Sequence, residues 1–286
     1  MDQDGSRRER NDEHANAQGR PVDASTDVEP SEGRLLRDQA RGHRVRRRRR
    51  TVEQPLGREE FAAALRSQRP RYWDTHPFHI RLHSGQATAD QVRSWVANRW
   101  YYQECLAQKN AAIVANCPLP EVRRIWSPRI GFYDGPTDDE GGRADWLALA
   151  DAVGLPRDEL LGGTRLLRGV RFAVDGYVHF CRTRPWQEAV AAALTEMFAP
   201  DHMAARVESW REHYDWIKPE GYAYFEHRIP VARRDSVDTL ELVLTHCTTR
   251  SQQQAALEAL AFKCDVLRAM LDSIDYAGRH DADDQR

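Results

Sequence analysis

An all-α fold is predicted by three features of the sequence. Apolar residues return at helical period along most of the chain from Glu59 onward. No run alternates apolar and polar residues long enough to suggest a strand, and no internal repeat is present. Prolines stand at helix-start positions, Pro185, Pro200 and Pro219 among them, and so punctuate the periodic segments. About seven main helices are expected, packed as one bundle.

Residues 1–50 read differently. They contain no Phe, Trp or Tyr, are rich in Asp, Arg, Gly and Ser, and carry a basic run at Arg44 and residues 46–50. Such a segment buries too little apolar surface to offset its ordering entropy, so a disordered Arg-rich tail is predicted, followed by a single domain over 51–280. The basic run reads as solvated tail rather than as a nucleic-acid or membrane contact.

The first helix is predicted over 58–68, followed by a loop at Pro70–Pro77 that holds Tyr72, Trp73 and His76, with His79 just beyond it. The long element comes next. Thr88 is a suitable N-cap, Asp90 and Gln91 fall in the first turn, and Pro118 stops the helix at Cys117. Its apolar side carries Val92, Trp95, Val96, Leu106, Ile113 and Val114. Its middle is unusual, with Asn98, Arg99, Trp100, Tyr101, Tyr102 and Gln103 together and Lys109 following. Arg99 and Gln103 share a face at i, i+4. That face reads either as solvated or as the lining of an anion-binding cavity.

A shorter helix from about Glu121 meets Pro128 and Gly131 and should kink before Tyr133. A turn-rich loop follows over 135–142. Helices are then expected at 143–153, 169–183, 186–198, 200–213, 219–247 and 250–276, with Pro230 bending the penultimate one.

Composition excludes some classes. Charged residues make up 30% of the chain, hydrophobic residues 41%, and the mean hydropathy is −0.74, which leaves enough apolar material for a core. The formal net charge of −2 does not suit a nucleic-acid binder. No apolar run is long enough to span a membrane, and the N-terminal region lacks the apolar stretch of a secretory signal. Five unpaired cysteines (105, 117, 181, 247 and 264) fit reduced thiols in a cytoplasmic protein. Only three of the 42 Lys and Arg residues are Lys (109, 218 and 263), so each retained ammonium is a candidate for a site that needs a compact cation.

Several polar residues lie on otherwise apolar helices. Tyr224 and Arg228 share a face at i, i+4, and Glu196 sits within AVAAALTEMF, where a carboxylate needs a cationic partner. Arg129, Tyr177, Arg206 and Lys263 are comparable single residues, and each alone reads equally as structural. Taken together the group is rich in Arg, Lys and Tyr, and suits a ligand bearing several carboxylates.

The stretch SWVANRWYYQECLAQKNAAIVANCP (94–118) resembles the pyrroloquinoline-quinone (PQQ) synthase family. So do HPFHIRLHSGQAT (76–88), DEGGRADWLALADAVGL (139–155), GVRFAVDGYVHF (169–180), WQEAVAAALTEMFAP (186–200) and LEALAFKCDVLRAMLD (257–272), and the likeness covers roughly 57–276. The resemblance implies a haem-oxygenase-like helical bundle, a homodimer, and an oxidase that needs no metal or organic cofactor. In that family a ring is closed and a quinonoid precursor is oxidised to PQQ, with dioxygen as acceptor and hydrogen peroxide as product.

The implied substrate-binding residues are Tyr72, Arg99, Gln103, Lys109, Arg129, Tyr177, Glu196, Arg206 and Lys263. Tyr224 and Arg228 are implied beside oxygen, and Tyr133 and His202 are candidates for proton transfer. The family carries His at positions 73, 133 and 203, where this chain has Trp73, Tyr133 and Met203. That departure keeps open a relative that binds PQQ or oxidises another metabolite. A di-iron oxidase of the same fold is a further class, for which Asp235, Asp238, Glu104, Glu196 and His202 do not complete a ligand set by spacing.

Overall fold

The computed structural model describes residues 54–283. The tail expected over 1–50 lies outside them. Among the described residues the chain is entirely helical, in the order α1 (Arg58–Arg66), α2 (Pro77–His83), α3 (Ala89–Asn116), α4 (Pro120–Trp126), α5 (Pro128–Asp134), α6 (Gly142–Ala152), α7 (Arg157–Leu161), α8 (Arg168–Thr183), α9 (Trp186–Ala192), α10 (Ala199–His213), α11 (Ala223–His246) and α12 (Arg250–Asp283). Short 3-10 turns occupy Arg69–Arg71, Trp73–Thr75, Ala193–Met197 and Pro219–Tyr222.

Helix α3 is the axis of the bundle. Thr88 caps it, accepting from the Gln91 amide while the Gln91 side chain accepts from the Thr88 amide. Its 28 residues extend for about 42 Å. It packs against α5, α6 and α8, and α12 closes the bundle against α8 and α9. Because neighbours surround α3, polar Asn98, Gln103, Lys109 and Asn110 are buried with its apolar side. The alternative of a solvated face is therefore excluded for Gln103 and Lys109. Trp95, Trp146, Trp210 and Phe225 form a buried aromatic cluster between α3, α6, α10 and α11, with centroids 5.5 to 6.3 Å apart in the pairs Trp95–Trp146, Trp95–Trp210, Trp146–Phe225 and Trp210–Phe225.

Several boundaries differ from the sequence expectation. The loop expected over Pro70–Pro77 holds two 3-10 turns and leads into α2, whose first amide is capped by an imidazole: His76 Nδ1 accepts from the Phe78 amide. Pro128 does more than kink a helix, since it starts α5 after a break at Ser127. Helix α7 was not expected at all. The run expected as one helix over 186–198 is α9 followed by a 3-10 turn. Helix α11 starts after the turn Pro219–Tyr222, carries Pro230 inside it on an exposed face, and α12 continues beyond 276. Gly85, at φ 71°, ends the turn after α2. A Cβ there would stand 2.7 Å from that of His213, so only glycine lets the end of α10 approach α2 so closely.

Candidate active site

Two adjoining compartments lie inside the bundle. The larger has a cavity volume of about 80 Å³ and the smaller about 70 Å³, counted as space for the centres of water-sized groups, and Tyr72, Trp73, Arg99, Met203 and Tyr224 line both. Helix α3 supplies Arg99, Tyr102 and Lys109, all on the side facing the cavity. Helix α11 supplies a stripe at spacings of four, seven and four residues: Tyr224, Arg228, Asp235 and Thr239, all buried. The 3-10 turn at Ala193–Met197 tightens the chain between α9 and α10, and Thr195 and Glu196 reach the larger compartment from it.

Most of the expected residues meet there. Arg99, Lys109, Tyr133, Tyr177, Glu196, Tyr224, Arg228 and Lys263 line the larger compartment with Tyr72. Arg206 and His202 line the smaller one. Two expected residues stand behind the wall. Gln103 accepts from the Tyr224 hydroxyl at 3.1 Å and so fixes that phenol from outside. Arg129 stacks 3.8 Å over the Trp126 ring and donates to Glu196, to Thr239 Oγ1 and to the Asp235 carbonyl. Its fork is consumed by the protein, so it holds Glu196 in place rather than facing the cavity.

Glu196 and Asp235 clasp Arg228 between them. Arg228 donates to Glu196 Oε1 and to Asp235 Oδ2, each at 3.0 Å, while Arg129 reaches Glu196 Oε2 at 2.9 Å. Burial pushes the Glu196 carboxyl up, but Arg129, Arg228 and Lys109 outweigh it and hold the group below the usual carboxylate range. Asp235 moves the other way, raised by burial and by Glu196. Burial acts against the Arg228 cation, and Tyr133, Glu196, Tyr224 and Asp235 more than reverse that, so the guanidinium stays charged.

The remaining cations have no carboxylate partner among the described residues. Lys263 is buried with its Nζ unpartnered, 3.7 Å from the Tyr177 ring centre and 4.3 Å from that of Tyr102. Lys109 sits 5.4 Å from the Trp126 ring centre and 6.0 Å from that of Tyr177. Burial lowers Lys109 to about 8 and takes Lys263 well below its usual value, with Arg99 and Lys109 adding to the latter shift. Arg206 lies 4.2 Å from the Trp95 ring centre, and donates to His83 Nε2 at 3.3 Å and, more weakly, to His79 Nδ1 at 3.4 Å. Six cationic groups (Arg99, Lys109, Arg129, Arg206, Arg228 and Lys263) thus stand against two carboxylates, Glu196 and Asp235. Burying that surplus is costly unless an anionic ligand completes it.

The tyrosines are held protonated. Burial raises Tyr72 to about 12 and takes Tyr133, Tyr177 and Tyr224 up as well, with nearby guanidiniums pulling weakly the other way at Tyr72, Tyr133 and Tyr224. Tyr102 is a lining residue that the sequence reading passed over. Its neighbour Tyr101 turns outward and donates to Asp175, a difference of one helical step that the sequence does not reveal. Asp235 was weighed only as a metal ligand. Among the described residues, no three His, Cys, Asp or Glu side chains come together as a metal-binding group, and no helix is long and apolar enough to cross a membrane.

A family model described as TENA/THI-4/PQQC matches residues 63–273. The chain belongs to that family. A pyrroloquinoline-quinone synthase from Cronobacter sakazakii is 51% identical over 227 residues, covering 79% of this chain and 90% of that protein. One from Pseudomonas putida W619 is 48% identical over 223 residues, covering 78% and 89%. In three dimensions the chain is similar to a domain with a heme oxygenase-like fold from Shewanella denitrificans, with TM-score 0.66 at 11% identity over 78% of this chain and 94% of that one. It is also similar to a TenA homologue from P. horikoshii, with TM-score 0.61 at 12% identity over 75% and 97%. At these identities the structural likeness concerns the fold alone, which is the haem-oxygenase-like bundle.

Proposed function

We propose that this chain is an oxygen-dependent oxidase that closes the ring of a quinonoid, tricarboxylated precursor and oxidises it to PQQ, the last step of PQQ biosynthesis. The observation that carries the reading is the surplus of cations around two adjoining compartments inside the bundle, in a chain about half identical to proteins of that name. The substrate is itself redox-active, so the protein's tasks are to hold an anion, place oxygen and move protons.

Each task has residues suited to it. Arg99, Lys109, Arg206 and Lys263 have no carboxylate partner among the described residues and are suited to take those of a ligand, which Arg forks bind bidentately. Binding restores to each buried cation the counter-charge it lacks, so binding energy is largest for a polyanion. Glu196 and Asp235 leave Arg228 charged and fixed, and the Tyr224 hydroxyl is fixed by Gln103. Two such preorganised groups beside reduced oxygen lower the cost of the negative charge it carries. The buried free thiols fit a reducing cytoplasm.

A second reading, a PQQ binder without turnover, has one observation in its favour: among the described residues, no imidazole lines the larger compartment. One experiment separates the two. Purified full-length protein, mixed with the ring-open precursor and oxygen, should consume oxygen and form PQQ and peroxide. Tight PQQ binding without product would establish the binder instead. Arg228→Ser should stall oxidation with coloured quinonoid intermediates, and unchanged product formation would mean that the oxygen site lies elsewhere.

A further inference from the structure

Among the described residues, His202 is the only imidazole on the wall of either compartment. Its setting differs from that of the other histidines nearby. His79 and His83 stack on one another with ring centres 4.0 Å apart and accept from the Arg206 guanidinium, so they serve to hold a cation. His202 instead turns toward the segment before α2. Its Nε2 lies 2.8 Å from Arg69 Nη2 and 3.4 Å from Asp74 Oδ2. Arg69 and Asp74 are themselves paired at 2.7 Å. Arg69 is partly in solvent, Asp74 is largely covered, and Asp74 Oδ1 is buried without a hydrogen-bond partner.

That arrangement accommodates the imidazole in both of its states. The neutral ring accepts from Arg69 at Nε2, which places its proton on Nδ1, a nitrogen with no hydrogen-bond partner among the described residues. The protonated ring can no longer accept there, but its Nε2–H has the Asp74 carboxylate within reach. A donor and an acceptor at one nitrogen make the group reversible, as a proton carrier requires. The carrier also spans the right places, since its ring lines the smaller compartment and its partners lead to the surface.

We propose that His202, with Asp74 and Arg69 as its positioning residues, is the proton port of the chamber and takes the part that the absence of imidazole at Trp73, Tyr133 and Met203 leaves open. The proposal rests on the oxidase reading. In each two-electron oxidation the substrate gives up two electrons and two protons, and dioxygen takes all four to leave as hydrogen peroxide. For one of those protons, the bond to hydrogen in the reduced ring breaks, its electron pair passes through the ring to dioxygen, and the proton goes to His202. The imidazolium then returns that proton to the peroxide anion, so His202 ends as it began.

The groups around His202 set the sign of its pH response. Arg69, Tyr72 and Asp74 face it from the preceding segment, His79 and His83 from α2, and Asp201 and Arg206 from its own helix. Burial lowers its pKa most and Asp74 raises it, with Arg69 and Arg206 adding to the lowering. Removal of the Asp74 charge therefore moves the acid limb of the rate profile to lower pH.

The test uses full-length protein, with PQQ as the binding probe and the ring-open precursor plus oxygen as the rate probe. Asp74→Asn and His202→Gln should keep PQQ affinity and slow oxidation by about a hundredfold, within the range of general acid–base effects. Asp74→Asn should shift the acid limb as stated, and 4-methylimidazole should restore His202→Gly. If wild type turns over and both variants match it in rate and profile, the port is refuted and the oxidase stands. Loss of PQQ affinity along with rate would make the pair a structural element, which also overturns the port. A wild type that binds PQQ without forming product overturns both readings.

Discussion

Lys263 holds its ammonium nitrogen 3.7 Å from the centre of the Tyr177 ring, fully buried and without a hydrogen-bond acceptor among the described residues. A ring face repays only part of the desolvation of a cation. The group is therefore an expense to the empty protein and an asset to the loaded one. Lys263→Met, which keeps the chain length and removes the charge, should raise the melting temperature of the empty protein. The same variant should weaken PQQ binding by at least about tenfold, as expected for one lost charge-assisted contact. Thermal melts and a PQQ titration on one preparation check both signs, and a fall in both quantities would contradict the account.

Lys109 makes the affinity depend on pH. Burial lowers its pKa to about 8 in the empty site, against an ordinary value of about 10.4. Between these values the unfolded chain holds a proton that the folded chain does not, so this residue makes the empty protein more stable as pH rises through that window. A bound polyanion favours the charged form, so PQQ affinity should be highest below pH 8 and fall as pH rises past it. Lys109→Met should flatten that fall. Calorimetric titration of both proteins at several pH values measures the difference.

Glu196 anchors two guanidiniums at once, Arg129 at 2.9 Å and Arg228 at 3.0 Å. Glu196→Gln leaves both cations buried with Asp235 as their remaining carboxylate. Loss of one partner from a buried pair costs about 3 kcal/mol, and urea unfolding at neutral pH should show a loss of that order. The Glu196 carboxyl lies below its ordinary range in the fold, so its contribution is complete above that range and disappears as acid titrates it. The gap between wild type and variant should therefore close as pH falls into the carboxylate region.

Helix α3 is legible in the sequence because its signals are local: Thr88 with Gln91 starts it and Pro118 stops it. The α11 stripe is legible for the same reason, as periodicity alone places Tyr224 and Arg228 on one face. Glu196 is different. The run AVAAALTEMF has strong helix propensity throughout, and nothing in it marks the 3-10 turn that directs the carboxylate inward. Helix α2 escapes because its cap is an imidazole rather than one of the usual oxygen caps, although Pro77 at its first position is a start signal. Arg206 and Lys263 cannot be joined to Arg99 from the sequence, since three helices must pack before they meet. Only the family resemblance brought them together in advance. Arg129 shows the limit of that route, because the packing assigns its fork to Glu196, Thr239 and the Asp235 carbonyl.

Tyr133 tests whether a phenol substitutes for an imidazole in the larger compartment. Its ring is buried, with the Arg228 guanidinium 5.8 Å from the ring centre. Burial takes its pKa well above the ordinary tyrosine value, and the smaller opposing pull of Arg228 does not offset it. A phenol that stays protonated throughout the working range of the protein can donate a hydrogen bond but cannot accept a proton from the substrate. Tyr133→Phe should therefore leave the oxidation rate within about twofold, far short of the roughly hundredfold-to-ten-thousandfold effects of losing a general base. Tyr133→His places a titratable ring beside Arg228, where burial and that cation keep it neutral and able to accept a proton. In the His202→Gln background it should recover part of the lost rate. Stopped-flow oxidation of the precursor by the two single variants and the double variant decides the matter: a large loss in Tyr133→Phe would make the phenol a participant in proton transfer and remove the need for a second carrier.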